Sequence, residues 1–130
     1  MRITVLGATG MAGTAVVNEA LSRGHEVTAV SRRRRHRAGA RLTSRLLDVA
    51  DVEGVAGLLK DSDAAVVALR PPAGHESDLA QLTTAVLDAA SRNRTPLLII
   101  GGAAPLSSPT DPSTLAIDDP TIVPPAWRDV

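Results

Sequence analysis

Two rhythms of apolar and polar residues alternate along this chain. Ile3–Leu6 is short, β-branched and apolar on both faces, the pattern of a central parallel strand. From Met11 to Arg23 the spacing changes to four: Val16 with Ala20 and Val17 with Leu21 share a face, which predicts a helix that Gly24 can close. His25–Val30 returns to strand character, and Ser44–Leu47 predicts a third short strand. Val52–Lys60 reads as a short helix, with Asp51 as its cap. Asp63–Leu69 is a fourth strand, ended by Pro71 and Pro72. Ser77–Arg92 carries the clearest helical stripe, formed by Leu79, Leu82, Val86, Leu87 and Ala90, with Ser77 able to cap it. Pro96–Gly101 predicts a fifth strand.

Strand and helix alternate, and each strand reads as continuously apolar. That combination predicts parallel strands joined by crossover helices that cover both faces. Right-handed crossovers then give an α/β fold with a doubly wound, five-stranded parallel sheet of Rossmann type, in the order 3-2-1-4-5. Residues 103–130 break the pattern: they hold six of the nine prolines and the stretch SSPTDPST. Proline fixes φ and removes a donor, so no interior strand is expected there. The expected organisation is a sheet domain over 1–102 and a Pro-rich, irregular C-terminal arm over 103–130.

Composition narrows the chemistry. At 130 residues the chain is one domain at most, and 44% apolar content lets it bury a core. With no Phe, no Tyr and only Trp127, that core is built from Val, Leu, Ile and Ala. The absence of Cys excludes disulfides, thiolate metal sites and cysteine nucleophiles. No apolar run has membrane-spanning length and no leader is evident, so a cytoplasmic protein without membrane contact is the expectation. Net charge is zero, yet residues 1–47 hold nine Arg against Glu19 and Glu26, and residues 48–130 hold five basic residues against twelve acids. The N-terminal half is therefore the expected place for an anionic ligand.

The stretch ITVLGATGMAG focuses that expectation. Gly7, Gly10 and Gly13 follow the first strand and open the first helix. Gly7 permits a sharp exit, Gly10 lets a pyrophosphate approach the backbone, and Gly13 lets the helix pack on the sheet. The free N–H groups and positive dipole end of that helix then face the anion. Thr9 adds a hydroxyl, and Met11 and Ala12 offer backbone N–H. The plainer reading is that three glycines only turn the chain; the strand–loop–helix context favours a dinucleotide.

A fold specific for NAD places an acid at the end of strand 2 to hold the ribose hydroxyls. Here Ser31, Arg32 and Arg33 stand there, and no acid occurs between Glu26 and Asp48. A guanidinium fork suits a 2′-phosphate, so NADP is expected over NAD. Arg34, Arg35 and Arg37 read as a solvated run. A nucleic-acid surface is disfavoured because interleaved aromatics are missing. Asp48 and Val49 follow strand 3, where Asp48 either accepts from an adenine amino group or caps the next helix. Ala68, Leu69 and Arg70 end strand 4 and can line the nicotinamide-ribose side. His75 lies in a loop that can face a substrate or solvent. His25 and His36 read as surface residues, and no metal-ligand spacing exists.

The runs VLGATGMAGTAVVNEALSRGHEVTAVSRRRR, LLDVAD, DAAVVAL and LLIIGGAAPL together resemble the atypical short-chain dehydrogenase/reductase family. The likeness is greatest to its small NAD(P)H-binding branch, akin to flavin and biliverdin reductases and isoflavone-reductase-like proteins. It covers essentially the whole chain. The family's G-x-x-G-x-x-G maps onto Gly7, Gly10 and Gly13, its basic residue onto Arg32, its adenine-side acid onto Asp48, and its GGA onto Gly101–Ala103. The ending DDPTIVPPAWRDV is similar to the segment leading such proteins into their next helix. The larger family's catalytic serine and Tyr-x-x-x-Lys have no counterpart here: there is no Tyr, and Lys60 is the only Lys. Family members also usually continue into a substrate-binding part beyond this point.

The resemblance implies an NADPH-dependent oxidoreductase, or its nucleotide-binding half, that passes hydride to a small organic or flavin-like acceptor without an identifiable catalytic residue. Two alternatives stand beside it. One is a non-catalytic dinucleotide sensor like the regulators of nitrogen-metabolite repression. The other is a truncated remnant with weak cofactor affinity. The apolar helix Ser77–Arg92 can serve a homodimer interface as well as the sheet.

Overall fold

A computed structural model describes residues 1–33, 39–71, 75, 77–102 and 105–123. The expectations placed on Arg34, Arg35, His36, Arg37, Pro72, Ala103 and residues 124–130 lie outside the described residues.

The described chain forms β1 (Arg2–Leu6), α1 (Met11–Ser22), β2 (Glu26–Ser31), β3 (Leu42–Leu46), α2 (Val52–Lys60), β4 (Ala64–Val67), α3 (Asp78–Asn93) and β5 (Leu97–Ile99). All neighbouring strands run parallel, in the order β3-β2-β1-β4-β5. The order reverses at β1, so the crevice beyond its C-terminal end is where a doubly wound sheet receives a ligand.

The pleat sends alternate side chains of each strand to opposite faces. On one face Val5, Val27 and Ala29 bury against Ala8, Val17 and Ala20 of the first crossover. On the other, Leu6, Val30, Ala65 and Val67 bury against Val55 and Leu59 of α2 and Val86, Ala89 and Ala90 of α3. Each fully buried Val or Leu stabilises the fold by about 1.5–3 kcal/mol relative to exposure. Helix ends follow local chemistry. Asp51 accepts from the Gly54 N–H at 3.0 Å and caps α2. Gly24, with φ +79°, turns the chain out of α1. Arg94 ends α3 at φ 54°, in the left-handed region, where its N–H reaches the Ala90 and Ser91 carbonyls.

Three expectations are corrected. Ser77 precedes α3 but makes no side-chain cap, because its backbone is already helical at φ −59° and ψ −25°. The inward stripe of α3 is Leu82, Val86, Ala89 and Ala90, while Leu79 and Leu87 are 40% and 46% exposed. Nor is every strand continuously apolar. Edge strand β3 reads LTSRL, with Thr43, Arg45 and Leu46 exposed, as suits a strand with a solvated side. The opposite edge strand, β5, has no such polar residue, and Leu98 is 62% exposed.

Residues Gly101–Val130 form a second compact unit. Its described part contains a 3-10 turn, Ala116–Asp118, and an antiparallel bridge between Ser107 and Leu115. At its centre the Asp119 carboxylate accepts from the hydroxyls of Ser108, Thr110 and Thr121 and from the Thr121 N–H. These donors, Ser108 first, hold its carboxyl well below the ordinary carboxylate range. A depressed folded value means that the ionised form supports the folded arm. That support is complete above the unfolded value near 4 and is lost as pH falls towards the folded value. Asp119→Ala is expected to shift the Ser108 and Thr121 amide NMR resonances to random-coil positions at pH 7, with the sheet resonances unmoved. Native-like dispersion of both amides in the variant would refute this role.

Candidate functional site

The loop from β1 to α1 is held by the strands beside it. The N–H groups of Gly7 and Ala8 both donate to the Val30 carbonyl, at 3.1 and 3.0 Å. Gly10 N–H donates to the Gly7 carbonyl at 3.1 Å, and the Thr14 hydroxyl donates to the Ala8 carbonyl at 3.1 Å. This fixes the loop against the C-terminal end of β2, while Ala68 N–H, donating to the Leu6 carbonyl at 2.8 Å, brings in the end of β4.

The three glycines meet different surroundings. Gly7 has φ +81°, and a Cβ there would lie 2.3 Å from the Ala68 carbonyl oxygen. A Cβ on Gly13 would lie 2.2 Å from the Gly7 carbonyl oxygen. Both positions are closed to any side chain by backbone, so the fold alone requires glycine there. Gly10 differs: its φ is −74°, and the nearest atom to a Cβ is the Gly7 oxygen at 3.5 Å, an ordinary contact. Nothing among the described residues demands glycine at position 10. A bare backbone beside open space is what a close-approaching ligand demands.

The opening of α1 supports the same conclusion. Gly10 is its N-cap, no side chain caps it, and its first turn holds no acid. No acceptor from the described residues takes the N–H of Met11 or Ala12. Orphan amides at the positive end of a helix dipole make an anion site. Thr9 and Met11 are exposed beside them, Met11 at 94%.

A pocket of about 240 Å³ lies here, lined by Gly7, Thr9, Gly10, Ser31, Arg32, Val49, Ala68, Leu69 and Arg70 from the expected set. Val30 and Leu47 complete its wall and were not expected. As apolar residues near the ends of β2 and β3 they read as core, and only the position of each at a strand's C-terminal end could have signalled a wall. Met11 and Ala12 stand at the helix mouth, and Gly13 lies buried beneath the loop. Arg33 is exposed outside the lining. Asp48 also lies outside the lining; one carboxylate oxygen accepts from the Ala50 N–H at 3.1 Å, in a local turn. Arg32 and Arg33 have no carboxylate partner among the described residues. His75 lies 3.4 Å from Asp78 at the surface. Among the described residues no acidic or histidine group is arranged for a metal, and no helix is long and apolar enough to cross a membrane.

A family model described as NAD(P)H-binding matches residues 7–125. No curated protein matches the sequence. Among solved structures, a Burkholderia pseudomallei protein named as a candidate exported protein shares 29% identity and a TM-score of 0.78, over 98% of this chain and 59% of that one. A candidate epimerase from Bacteroides thetaiotaomicron shares 29% identity and a TM-score of 0.78, over 91% and 54%. Uronate dehydrogenase from Agrobacterium tumefaciens, solved with NAD, has the same fold at 16% identity and a TM-score of 0.70, over 82% and 42%. The chain thus spans between two fifths and three fifths of the length of these proteins. With the matched region running from the first glycine of the loop almost to the end of the chain, the protein belongs to the NAD(P)H-binding family.

Proposed function

We propose that this chain binds NADPH in preference to NADH and is the nucleotide-binding part of an oxidoreductase acting on a small organic or flavin-like acceptor. The observation that carries the dinucleotide reading is position 10, a glycine that no contact among the described residues requires, beside amides without an acceptor among those residues. The preference for NADPH is supported by Ser31 and Arg32 at the end of β2, where an NAD-specific site carries an acid. When bound, NADPH supplies a hydride. The protein's part is to hold the diphosphate at Met11 and Ala12, seat the 2′-phosphate against Arg32, and line the adenosine side with Val30, Leu47 and Val49. Ala68, Leu69 and Arg70 border the opposite side, where the acceptor's partner ring belongs.

Among the described residues the lining offers hydroxyls and guanidinium groups and no carboxylate or imidazole that would serve as a proton donor near neutral pH. An acceptor that takes hydride without a tightly coupled proton, such as a flavin or quinone, suits this better than a simple ketone. Absorbance at 340 nm tests the reading. The chain is expected to oxidise NADPH with added FMN or a soluble quinone, faster than it oxidises NADH. Tight NADPH binding without turnover would replace the enzyme by a dinucleotide sensor. Absence of any thermal shift with either dinucleotide would overturn both.

A further inference from the structure

A second polar cleft, of about 280 Å³, lies on the α2 side of the sheet, over the N-terminal halves of β1 and β2 and along β3 as far as Arg45. It is remote from the strand ends that form the dinucleotide pocket. Its floor breaks the rule of the fold. Parallel sheets are apolar on both faces, yet Thr4 pairs in register with Thr28, and Thr28 with Thr43. Three hydroxyl side chains therefore cross the sheet in one row on one face, spanning about 10 Å at the usual strand spacing. Helix α2 leaves this row open: a Cβ on its Gly57, which lines the cleft, would meet none of the described residues within 4 Å.

The hydroxyls are not equivalent. Ser62 donates its single hydrogen to the Leu58 carbonyl at 2.9 Å. The 2.7 Å bond between Thr4 and Ser62 therefore uses the Thr4 hydrogen, and Thr4, only 1% exposed, forms the closed end of the row. Thr28 and Thr43 have no side-chain partner among the described residues and keep both capacities. Arg41, in the turn just before β3, and Arg45, on β3, flank Thr43 along the chain, each two residues away, and line the cleft without an ion-pair partner among the described residues. Arg2, by contrast, is paired with Asp63 at 3.2 Å. Glu26 and Asp61 stand among the lining residues as well. The row thus runs from a buried threonine on β1 to two cations beside Thr43 that have no ion-pair partner among the described residues.

We propose that this cleft binds a small polyhydroxylated anion, its hydroxyls over Thr28 and its charged group at Thr43 between Arg41 and Arg45. A sugar phosphate and a sugar acid share that chemistry. The volume equals that of about nine waters, which suits a single sugar-sized unit. The site is independent of the dinucleotide reading.

The test is titration of the full chain, with and without NADPH present, followed by amide NMR shifts. The probes are ribose 5-phosphate, gluconate, ribose and inorganic phosphate. Saturable shifts centred on Thr28 and Thr43 are expected with one or both of the first two, and which one responds identifies the anionic group. Arg41→Gln and Thr28→Val are each expected to weaken that binding about tenfold, while NADPH affinity stays within twofold. Equal shifts from inorganic phosphate alone would mean an adventitious ion only and would overturn the proposal. So would shifts confined to residues 7–12 and 32, or no shift with any probe. Should either variant fail to give a folded spectrum, the other decides; binding unchanged in a folded variant counts against the site.

Discussion

Gly10→Val is expected to weaken dinucleotide binding by at least about 100-fold while the sheet folds and melts almost as before. Two energies of different origin decide this. Among the described residues the new Cβ meets only the Gly7 oxygen, at 3.5 Å, and the backbone φ of −74° suits any residue. The cost to folding is that of a poor N-cap, about 1 kcal/mol or less. Towards the pocket, the isopropyl group occupies the space through which a diphosphate reaches Met11 and Ala12. Losing two charge-assisted hydrogen bonds, at about 1.5–3 kcal/mol each, corresponds to 100-fold or more. Gly13→Ala is the control with opposite consequences. Its methyl would sit 2.2 Å from a carbonyl oxygen, so helix and strand must separate, destabilising the fold by about 1–3 kcal/mol or more. Calorimetric titration with NADPH, beside thermal melts of both variants, separates the two effects. Gly10→Val binding at wild-type affinity would remove the phosphate role from the loop.

Arg32→Ala is expected to weaken NADPH about 10- to 100-fold and NADH less than threefold. Arg32 lines the pocket at the end of β2 and has no carboxylate partner among the described residues, so no internal ion pair competes for it. A guanidinium–phosphate pair contributes about 1.5–3 kcal/mol, all of it absent when the ribose carries a hydroxyl. Arg33, outside the lining, is expected to show a smaller effect from general attraction, reduced by added salt. Equal losses for the two dinucleotides on Arg32→Ala would assign the residue to the diphosphate and withdraw the preference for NADPH.

Much of the sheet was legible because its strands differ in period from its helices. The spacing of Val16 with Ala20 and of Val17 with Leu21, the apolar runs of β1, β2 and β4, and the crossover rule lead to the observed strand order. Asp51 was legible as a cap because an acidic residue stands directly before a helical pattern. The facing of α3 was not. Leu79 and Leu87 fit a helical stripe as well as Leu82 does, and the face chosen depends on Ala89 and Ala90, whose small side chains let α3 approach the core. The polar floor beneath Thr4 and Thr28 was hidden for a different reason. Threonine is β-branched and counts as a good strand residue, and only the register shows that three of them align. In the site, glycines and arginines carry recognisable chemistry, whereas Val30 and Leu47 contribute shape, and shape follows from where strands end.

The interlock of Gly7 with Ala68 and of Gly13 with Gly7 has a bearing on how such chains age. A descendant that had ceased to bind any nucleotide would still be compelled to keep both of these glycines, since losing either breaks the packing between loop, helix and strand. Only the middle position would be free to drift. Across relatives, therefore, the outer pair records ancestry, and the residue at position 10 records whether the pocket is still in use.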